Sequence, residues 1–93
     1  MYNNFEIVFD PAKNIRNIAK HAGVSLASAA DFEWGTALVW RDLRYDYQEH
    51  RMSGIGYIGH RLFHVVFVDR DVQRRIISLR KANQREEKRY AEA

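Results

Sequence analysis

The 93-residue sequence has no cysteine and a single proline. Without cysteine there is no disulfide, no Cys-ligated zinc and no thiol nucleophile. The longest apolar run, Leu62 to Val68, is far shorter than a membrane span and contains His64. The first four residues lack the basic and apolar regions of a signal peptide. These absences favour a small soluble domain of the cytoplasm.

The composition is that of one globular domain covering residues 1–93, with 46% hydrophobic and 29% charged residues. The net charge of +3 is unevenly distributed. Residues 1–73 hold eight basic and nine acidic side chains, whereas residues 74–93 hold seven basic and three acidic ones. A cationic C-terminal segment of this kind binds phosphate or an acidic protein, or it is simply a solvated helix. The charge alone does not separate these alternatives.

The N-terminal third predicts a strand followed by two helices. Phe5–Phe9 alternates as in a strand, and Asp10-Pro11 is typical of a helix start. Gly23 is suited to end this helix. A second helix is predicted from Leu26 to about Trp34, capped by Ser25. In the first helix two opposite arcs form, with Ile15, Ile18, Ala19 and Ala22 on one and Lys13, Asn17, Lys20 and His21 on the other.

From Thr36 onward the period changes to two, which predicts four strands. Short connections at Gly59-His60 and at 69–72 favour antiparallel hairpins. Asn83 and Glu86 have the spacing of a capping box, which predicts a basic C-terminal helix over 83–92. The fold class is therefore α+β, in the order β-α-α-β-β-β-β-α, with helices packed on one mainly antiparallel sheet. The predicted strands are Thr36–Arg41, Glu49–Ile58, Leu62–Asp69 and Arg74–Arg80, and the predicted core aromatics are Phe32, Trp34, Trp40 and Phe67.

Three stretches, spread over nearly the whole chain from Phe5 to Tyr90, resemble a known family. Asp10-Pro11-Ala12-Lys13, then Asn17 and Lys20-His21, resembles the opening of the BrnT-type toxins of bacterial type II toxin–antitoxin pairs. The run 75–82, followed by Arg85-Glu86 and Tyr90, is similar to that family's closing strand and helix. Glu49-His50-Arg51, Gly56 and 61–68 lie where its central hairpin would be. Where the family usually has His followed directly by Gly, Ala22 here separates His21 from Gly23.

This resemblance implies a RelE-like fold and a ribonuclease activity that halts translation. It also implies a small BrnA-like antitoxin that covers the toxin and joins it in repressing their shared promoter DNA. RNA and the antitoxin are therefore the expected partners, and no cofactor is expected.

A ribonuclease that works without metal must take a proton from the 2′-hydroxyl, stabilise charge on the phosphoryl oxygens and protonate the leaving 5′-oxygen. Histidine and glutamate suit the proton transfers, and arginine suits the phosphate. The residues predicted as catalytic are His21, Glu49, Arg51 and Arg80. The residues predicted to bind RNA are Lys13, Lys20, Arg61, Lys81, Arg85 and Tyr90.

Each assignment has a structural alternative. His21 lies near a helix C-terminus, where the dipole favours the imidazolium expected of a general acid, or it is a surface or capping histidine. Glu49 and Arg51 flank one phosphate as base and clamp, or form an ion pair. Arg80 is a phosphate clamp or a salt-bridge partner. Tyr90 stacks on a base or anchors the last helix.

Strand register raises a difficulty for a single site. Tight hairpins place Arg80 opposite Phe63 and Gly56, so that Arg51 and Arg80 point to different faces of the sheet unless a bulge shifts the register. Without a bulge, Arg61 with Arg80 would form one cluster and Glu49 with Arg51 another. A site that includes all four predicted catalytic residues is a hypothesis.

Other chemistries receive little support. His60 and His64 are four apart, which on a strand separates them by roughly 13 Å, too far for one metal ion. Tyr45 and Tyr47 either line an RNA groove or are surface residues of a loop.

The competing functions are a non-enzymatic nucleic-acid-binding module and a catalytically inactive family member that acts in a complex.

Overall fold

A computed structural model describes residues 5–44 and 48–93. Its five strands form one mixed sheet in the order β1-β5-β4-β3-β2, with β1 parallel to β5 and the other three pairs antiparallel. No helix in these ranges is long and apolar enough to cross a bilayer. The elements are β1 (Glu6–Val8), α1 (Pro11–Lys20), β2 (Leu38–Arg41), β3 (Met52–Ile58), β4 (Arg61–Arg70), β5 (Gln73–Lys81) and α2 (Gln84–Glu92).

The α+β class, the two hairpins and the C-terminal helix are confirmed. Both halves of the predicted capping box are present at α2: the Asn83 side chain accepts from the Glu86 N–H, and the Glu86 carboxylate accepts from the Asn83 N–H. The second predicted α-helix is wrong. Residues 26–36 form two short 3₁₀ segments instead, Leu26–Asp31 and Trp34–Thr36.

The spacing of the buried residues explains the 3₁₀ geometry. Leu26, Ala29 and Phe32 are three apart, and all are buried. A helix with three residues per turn aligns them on a single line. That line packs on one side of the sheet, here called the back face, against Val65, Phe67, Ile76 and Leu79. The opposite side, the front face, carries α2, whose Tyr90 packs with Ile55 and Leu62.

The polar arc of α1 faces the sheet, and its apolar arc faces outward. An amphipathic helix ordinarily packs with its apolar arc against the core. Ile15 is 69% exposed and Ile18 is 38% exposed, whereas Asn17 is 7% exposed. The Asn17 amide donates to the Leu79 carbonyl at 2.8 Å and to the Val24 carbonyl at 2.9 Å. Its Oδ1 accepts from the Leu79 N–H at 3.4 Å.

The Asn17 side chain makes the hydrogen bonds to β5 that a neighbouring strand would otherwise make. The parallel partner β1 reaches only as far as Arg75 on β5, so the backbone of Leu79 lies at an edge without a neighbour. Buried backbone groups need hydrogen-bond partners. The Asn17 amide supplies both, and this fixes α1 beside β5 with Lys13, Lys20 and His21 on its sheet-facing side.

A bulge in β5 sets which face Arg80 occupies. Phe67 pairs with Ile76 but Val66 pairs with Ser78, so Ile77 is an extra residue. Arg80 therefore pairs with His64 instead of the expected Phe63. The arrangement with Arg51 and Arg80 on different faces is thus wrong for this chain, because the bulge shifts the register by one residue.

The inverted packing of α1 predicts unequal costs for two substitutions. Replacing Asn17 with Ala leaves the buried backbone of Leu79 without partners, and we expect it to lower the free energy of unfolding by about 2 kcal/mol. Replacing the exposed Ile15 with Ala changes it by less than about 0.5 kcal/mol. Urea unfolding followed by circular dichroism measures both. A larger loss for Ile15→Ala than for Asn17→Ala would contradict the orientation of α1.

The residue after the helix cap predicts a stabilising substitution. Ala22 has a φ of +53°, in the left-handed region that costs a residue with a Cβ about 1 kcal/mol. We expect Ala22→Gly to raise the free energy of unfolding by about 0.5–1 kcal/mol. The matched control is Ala19→Gly, inside α1, which should lower it by about 0.5–1 kcal/mol. Equal effects of the two glycines in urea unfolding would argue against strain at Ala22.

Candidate nucleic-acid-binding cleft

A cleft opens on the front face between the polar arc of α1 and the middle of the sheet. It consists of two adjoining hollows that share Lys20, His21, Arg51, Ile77 and Ser78. The bulged pair Ile77 and Ser78 provides sheet-side lining common to both hollows. α1, β5 and the segment between β2 and β3 contribute the charged walls.

The lining of the cleft is strongly cationic. Among the described residues it includes six basic side chains and one carboxylate, that of Asp42. Asp42 is held by Arg44 through two hydrogen bonds of 2.9 Å. A concave surface with this excess of positive charge attracts polyanions. The basic side chains are Lys13, Arg16, Lys20, Arg44, Arg51 and Arg80.

Arg80 is held in place by α2. Its guanidinium donates to both carboxylate oxygens of Glu86 at 2.8 Å, and Glu86 is also the capping-box residue of α2. Burial by itself raises the pKa of Glu86, but hydrogen bonds from Arg80 and from the Asn83 backbone leave that pKa below its usual value. The start of α2 and the cleft therefore share one ionised network.

His21 lies at the end of α1 as the C-cap residue, and its backbone N–H donates to the Asn17 carbonyl. Burial, followed by the charges of Lys20 and Arg80, lowers the pKa of His21. The helix end is expected to favour the imidazolium of His21, whereas burial and the neighbouring cations shift its pKa in the opposite direction.

His64 lines the same cleft from the middle of β4. It is 7% exposed, and its Nδ1 has no hydrogen-bond partner within the described ranges. Burial, reinforced by Arg80, lowers the pKa of His64 to about 4; Arg44 adds to this, while Glu86 and Asp42 oppose it. His64 is therefore a neutral imidazole at neutral pH.

The comparison with known proteins identifies the family. The family model described as the ribonuclease toxin BrnT of type II toxin–antitoxin systems matches residues 9–86. The chain belongs to the BrnT toxin family. A search of curated proteins found no match.

A BrnT toxin acts on RNA and has an antitoxin partner, so the cationic cleft is a candidate site for RNA. Five of the residues predicted from the sequence line the cleft. They are Lys13, Lys20, His21, Arg51 and Arg80. Within residues 5–44 and 48–93, no group of three or more His, Asp or Glu side chains is arranged to hold a metal ion.

The other predicted site residues do not line this BrnT cleft. Glu49 lies beside it, with its carboxylate 3.9 Å from Arg51 and 3.7 Å from Arg70. Arg61 donates to the Ala82 carbonyl at 3.0 Å. Lys81 is exposed and pairs with Phe63, which places it on the back face.

The last two predicted RNA-binding residues belong to α2. Arg85 lines a separate groove between β2 and α2, together with Leu38. Tyr90 donates its hydroxyl to the Thr36 carbonyl at 3.1 Å and packs edge-on against Tyr57. The structural alternative for Tyr90, an anchor of the last helix, is the one observed. Tyr45 and Tyr47 lie outside the described residues.

Sequence reasoning missed His64, Arg44 and Arg16 as cleft residues. His64 was weighed only as a metal ligand, although a histidine inside an otherwise apolar strand is itself a signal of a buried polar group with a special role. Arg16 lies one turn before Lys20 on α1 and shares its sheet-facing position. Arg44 carries no local signal, because the segment around it follows no periodic pattern.

The buried state of His64 predicts how stability depends on pH. The pKa of His64 in the folded protein, about 4, lies below its unfolded value of 6.5. The stability that comes with the neutral ring is therefore complete above pH 6.5 and is lost as the pH falls toward 4. The loss from this group is about 3 kcal/mol.

Urea unfolding from pH 7 to pH 4 measures this effect as the difference between the parent and His64→Gln. The difference should move by about 3 kcal/mol in favour of the variant as the pH falls. The exposed His60, replaced with Gln, serves as the matched control and should retain the parental slope. A parental slope in His64→Gln would show that His64 is not neutral in the folded protein.

Proposed function

We propose that this BrnT-family chain is a metal-independent endoribonuclease that cleaves RNA by attack of a 2′-hydroxyl on the adjacent phosphate. The observation that carries the proposal is the cleft itself, where six cationic side chains and two imidazoles meet on one face. The cations suit the phosphate backbone, and the imidazoles suit proton transfer at neutral pH. The α+β architecture supports the RelE-like fold that the resemblance implies.

Arg51 and Arg80 are proposed to hold the scissile phosphate. Both line the hollow that also contains His21, and a guanidinium binds two phosphoryl oxygens at once. The two hydrogen bonds that Arg80 donates to Glu86 fix the orientation of its guanidinium group. Lys13, Arg16 and Lys20 extend the cationic wall along α1, where they are placed to bind neighbouring phosphates.

His21 is proposed to protonate the leaving 5′-oxygen. In the free protein the charges of Lys20 and Arg80 oppose its protonation. A bound phosphate brings negative charge next to these cations and therefore raises the pKa of His21 toward neutrality. Binding of the substrate phosphate therefore favours the protonated form of His21 that the proposed step needs.

Glu49, predicted from the sequence as a base, is proposed to orient Arg51. Its carboxylate contacts Arg51 at 3.9 Å and Arg70 at 3.7 Å, outside the lining of the cleft. A carboxylate held between two guanidinium groups is suited to fixing their orientation.

The antitoxin is proposed to be a BrnA-like protein that binds the cationic surface of α2. The groove between β2 and α2 is lined by three basic side chains, Arg85, Lys88 and Arg89, against one acidic side chain, Glu92, and a surface with this excess of positive charge fits an acidic partner. Arg61 and Lys81 extend the positive charge beyond the cleft. Promoter DNA is proposed to bind only to the toxin–antitoxin complex, and RNA cleavage in the cytoplasm to stop translation and growth.

Expression in bacteria tests the proposed activity. The parent should arrest growth and cleave RNA in the presence of EDTA, leaving a 2′,3′-cyclic phosphate. His21→Ala and Arg80→Ala should each reduce the cleavage rate by about 100-fold or more, since each removes a group that acts in the transition state.

Arg75→Ala is the matched control for Arg80→Ala. Arg75 is an exposed arginine of the same strand and does not line the cleft, so cleavage should be unchanged. RNA binding by the parent without cleavage, indifferent to His21, would instead indicate a nucleic-acid-binding module or an inactive family member.

A further inference from the structure

The proposed reaction needs a group that takes the proton of the 2′-hydroxyl, and each carboxylate in or beside the cleft is paired with arginine side chains. Glu49, beside the cleft, contacts Arg51 and Arg70. Asp42 is bound by the side chain of Arg44 through two hydrogen bonds. Glu86 accepts two hydrogen bonds from Arg80 and one from the backbone of Asn83. Carboxylate oxygens that already accept hydrogen bonds in this way are poorly placed to take the proton of a substrate hydroxyl.

With His21 proposed as the proton donor, His64 is the other imidazole among the described lining residues, and its geometry is unusual. β4 places it directly across from Arg80 in the β4–β5 pair, on the front face. One ring nitrogen, Nε2, lies 4.0 Å from Glu86 Oε2. The other, Nδ1, is enclosed and has no hydrogen-bond partner in the part of the chain that the structure describes. A buried polar atom left unsatisfied is costly and calls for a functional explanation.

We propose that His64 is a catalytic residue of the cleft, whose Nδ1 accepts the proton of the attacking 2′-hydroxyl, with Glu86 as its positioning residue. The inference rests on the proposed ribonuclease function. The Glu86 carboxylate favours the tautomer that carries its proton on Nε2, because that nitrogen faces it. The lone pair of Nδ1 then remains available, as in other imidazoles oriented by a carboxylate.

The step balances without a further reactant. The 2′-oxygen forms a bond to phosphorus while the bond from phosphorus to the 5′-oxygen breaks. The proton of the 2′-hydroxyl passes to His64 Nδ1, and His21 gives its proton to the 5′-oxygen. The products are a 2′,3′-cyclic phosphate and a 5′-hydroxyl, and solvent restores both histidines.

The charges around His64 fit this role. Arg80 from β5 and Arg44 from the segment after β2 oppose its protonation, whereas Glu86 from α2 and Asp42 favour it. A phosphate bound by Arg80 offsets the nearest cation, so protonation of the ring becomes easier when substrate is present. Because Nδ1 is enclosed in the free protein, the proposal requires the side chains around it to move when RNA binds.

Cleavage kinetics of His64→Gln test the proposal. We expect kcat to fall at least about 100-fold with little change in KM, because the lost group acts in the transition state. His60→Gln should cleave like the parent. An RNA whose 5′-bridging oxygen is replaced by sulfur needs no proton on its leaving group, so it should rescue His21→Ala and fail to rescue His64→Gln.

A parental kcat in His64→Gln, or its rescue by the sulfur-bridged RNA, would overturn the assignment of His64 as the proton acceptor. Failure of the parent itself to cleave RNA would instead overturn the proposed function. Circular dichroism of each variant establishes that it is folded.

Imidazole NMR of the folded parent gives a second test, which depends neither on cleavage nor on the stability of any variant. The ring of His64 is titrated in the free protein and with a DNA oligonucleotide of the same sequence as the RNA used in the cleavage assay, which lacks the attacking 2′-hydroxyl and is therefore not cut by the proposed reaction. We expect the oligonucleotide to raise the pKa of His64 by at least about one unit, since its phosphate offsets Arg80. An unchanged pKa in the bound state would count against His64 as the base.

Discussion

The hydrogen bonds between the Asn17 side chain and the backbone of Leu79 determine how α1 lies on the sheet. They complete a strand edge that β1 is too short to cover. An amide can satisfy a backbone N–H and a backbone carbonyl together, which an apolar side chain cannot. As a result, the helix presents Lys13, Lys20 and His21 to the cleft, and its isoleucines face outward.

One inserted residue, Ile77, is equally consequential for the cleft. Side chains alternate between the two faces of a strand, so a single extra residue reverses the face of everything that follows it. Arg80 is thereby brought onto the front face with His64 and Arg51. The same shift brings Arg80 to Glu86, at the start of α2, which accepts two hydrogen bonds from its guanidinium group.

Helix α1 contributes charged side chains to the cleft and little apolar surface to the core. Ile15 and Ile18 contribute little to the core because the helix face that would bury apolar surface is used to assemble a cationic cleft. The hydrophobic core is instead supplied by the 3₁₀ segment and the back face of the sheet. Burial, reinforced by the positive charges brought close together, lowers the pKa of both His21 and His64, so the free cleft contains two imidazoles whose protonation is opposed.

Local pattern was sufficient for the elements that depend on neighbouring residues: the Asp10-Pro11 helix start, the hairpins, and the capping box of Asn83 and Glu86. It also identified most of the cleft's cations by residue type. Only the tertiary structure decided the orientation of α1, the bulge at Ile77 and the membership of His64 in the cleft. Each of these depends on contacts between distant parts of the chain, such as Asn17 with Leu79, and periodicity along a sequence carries no information about which backbone edge lacks a partner.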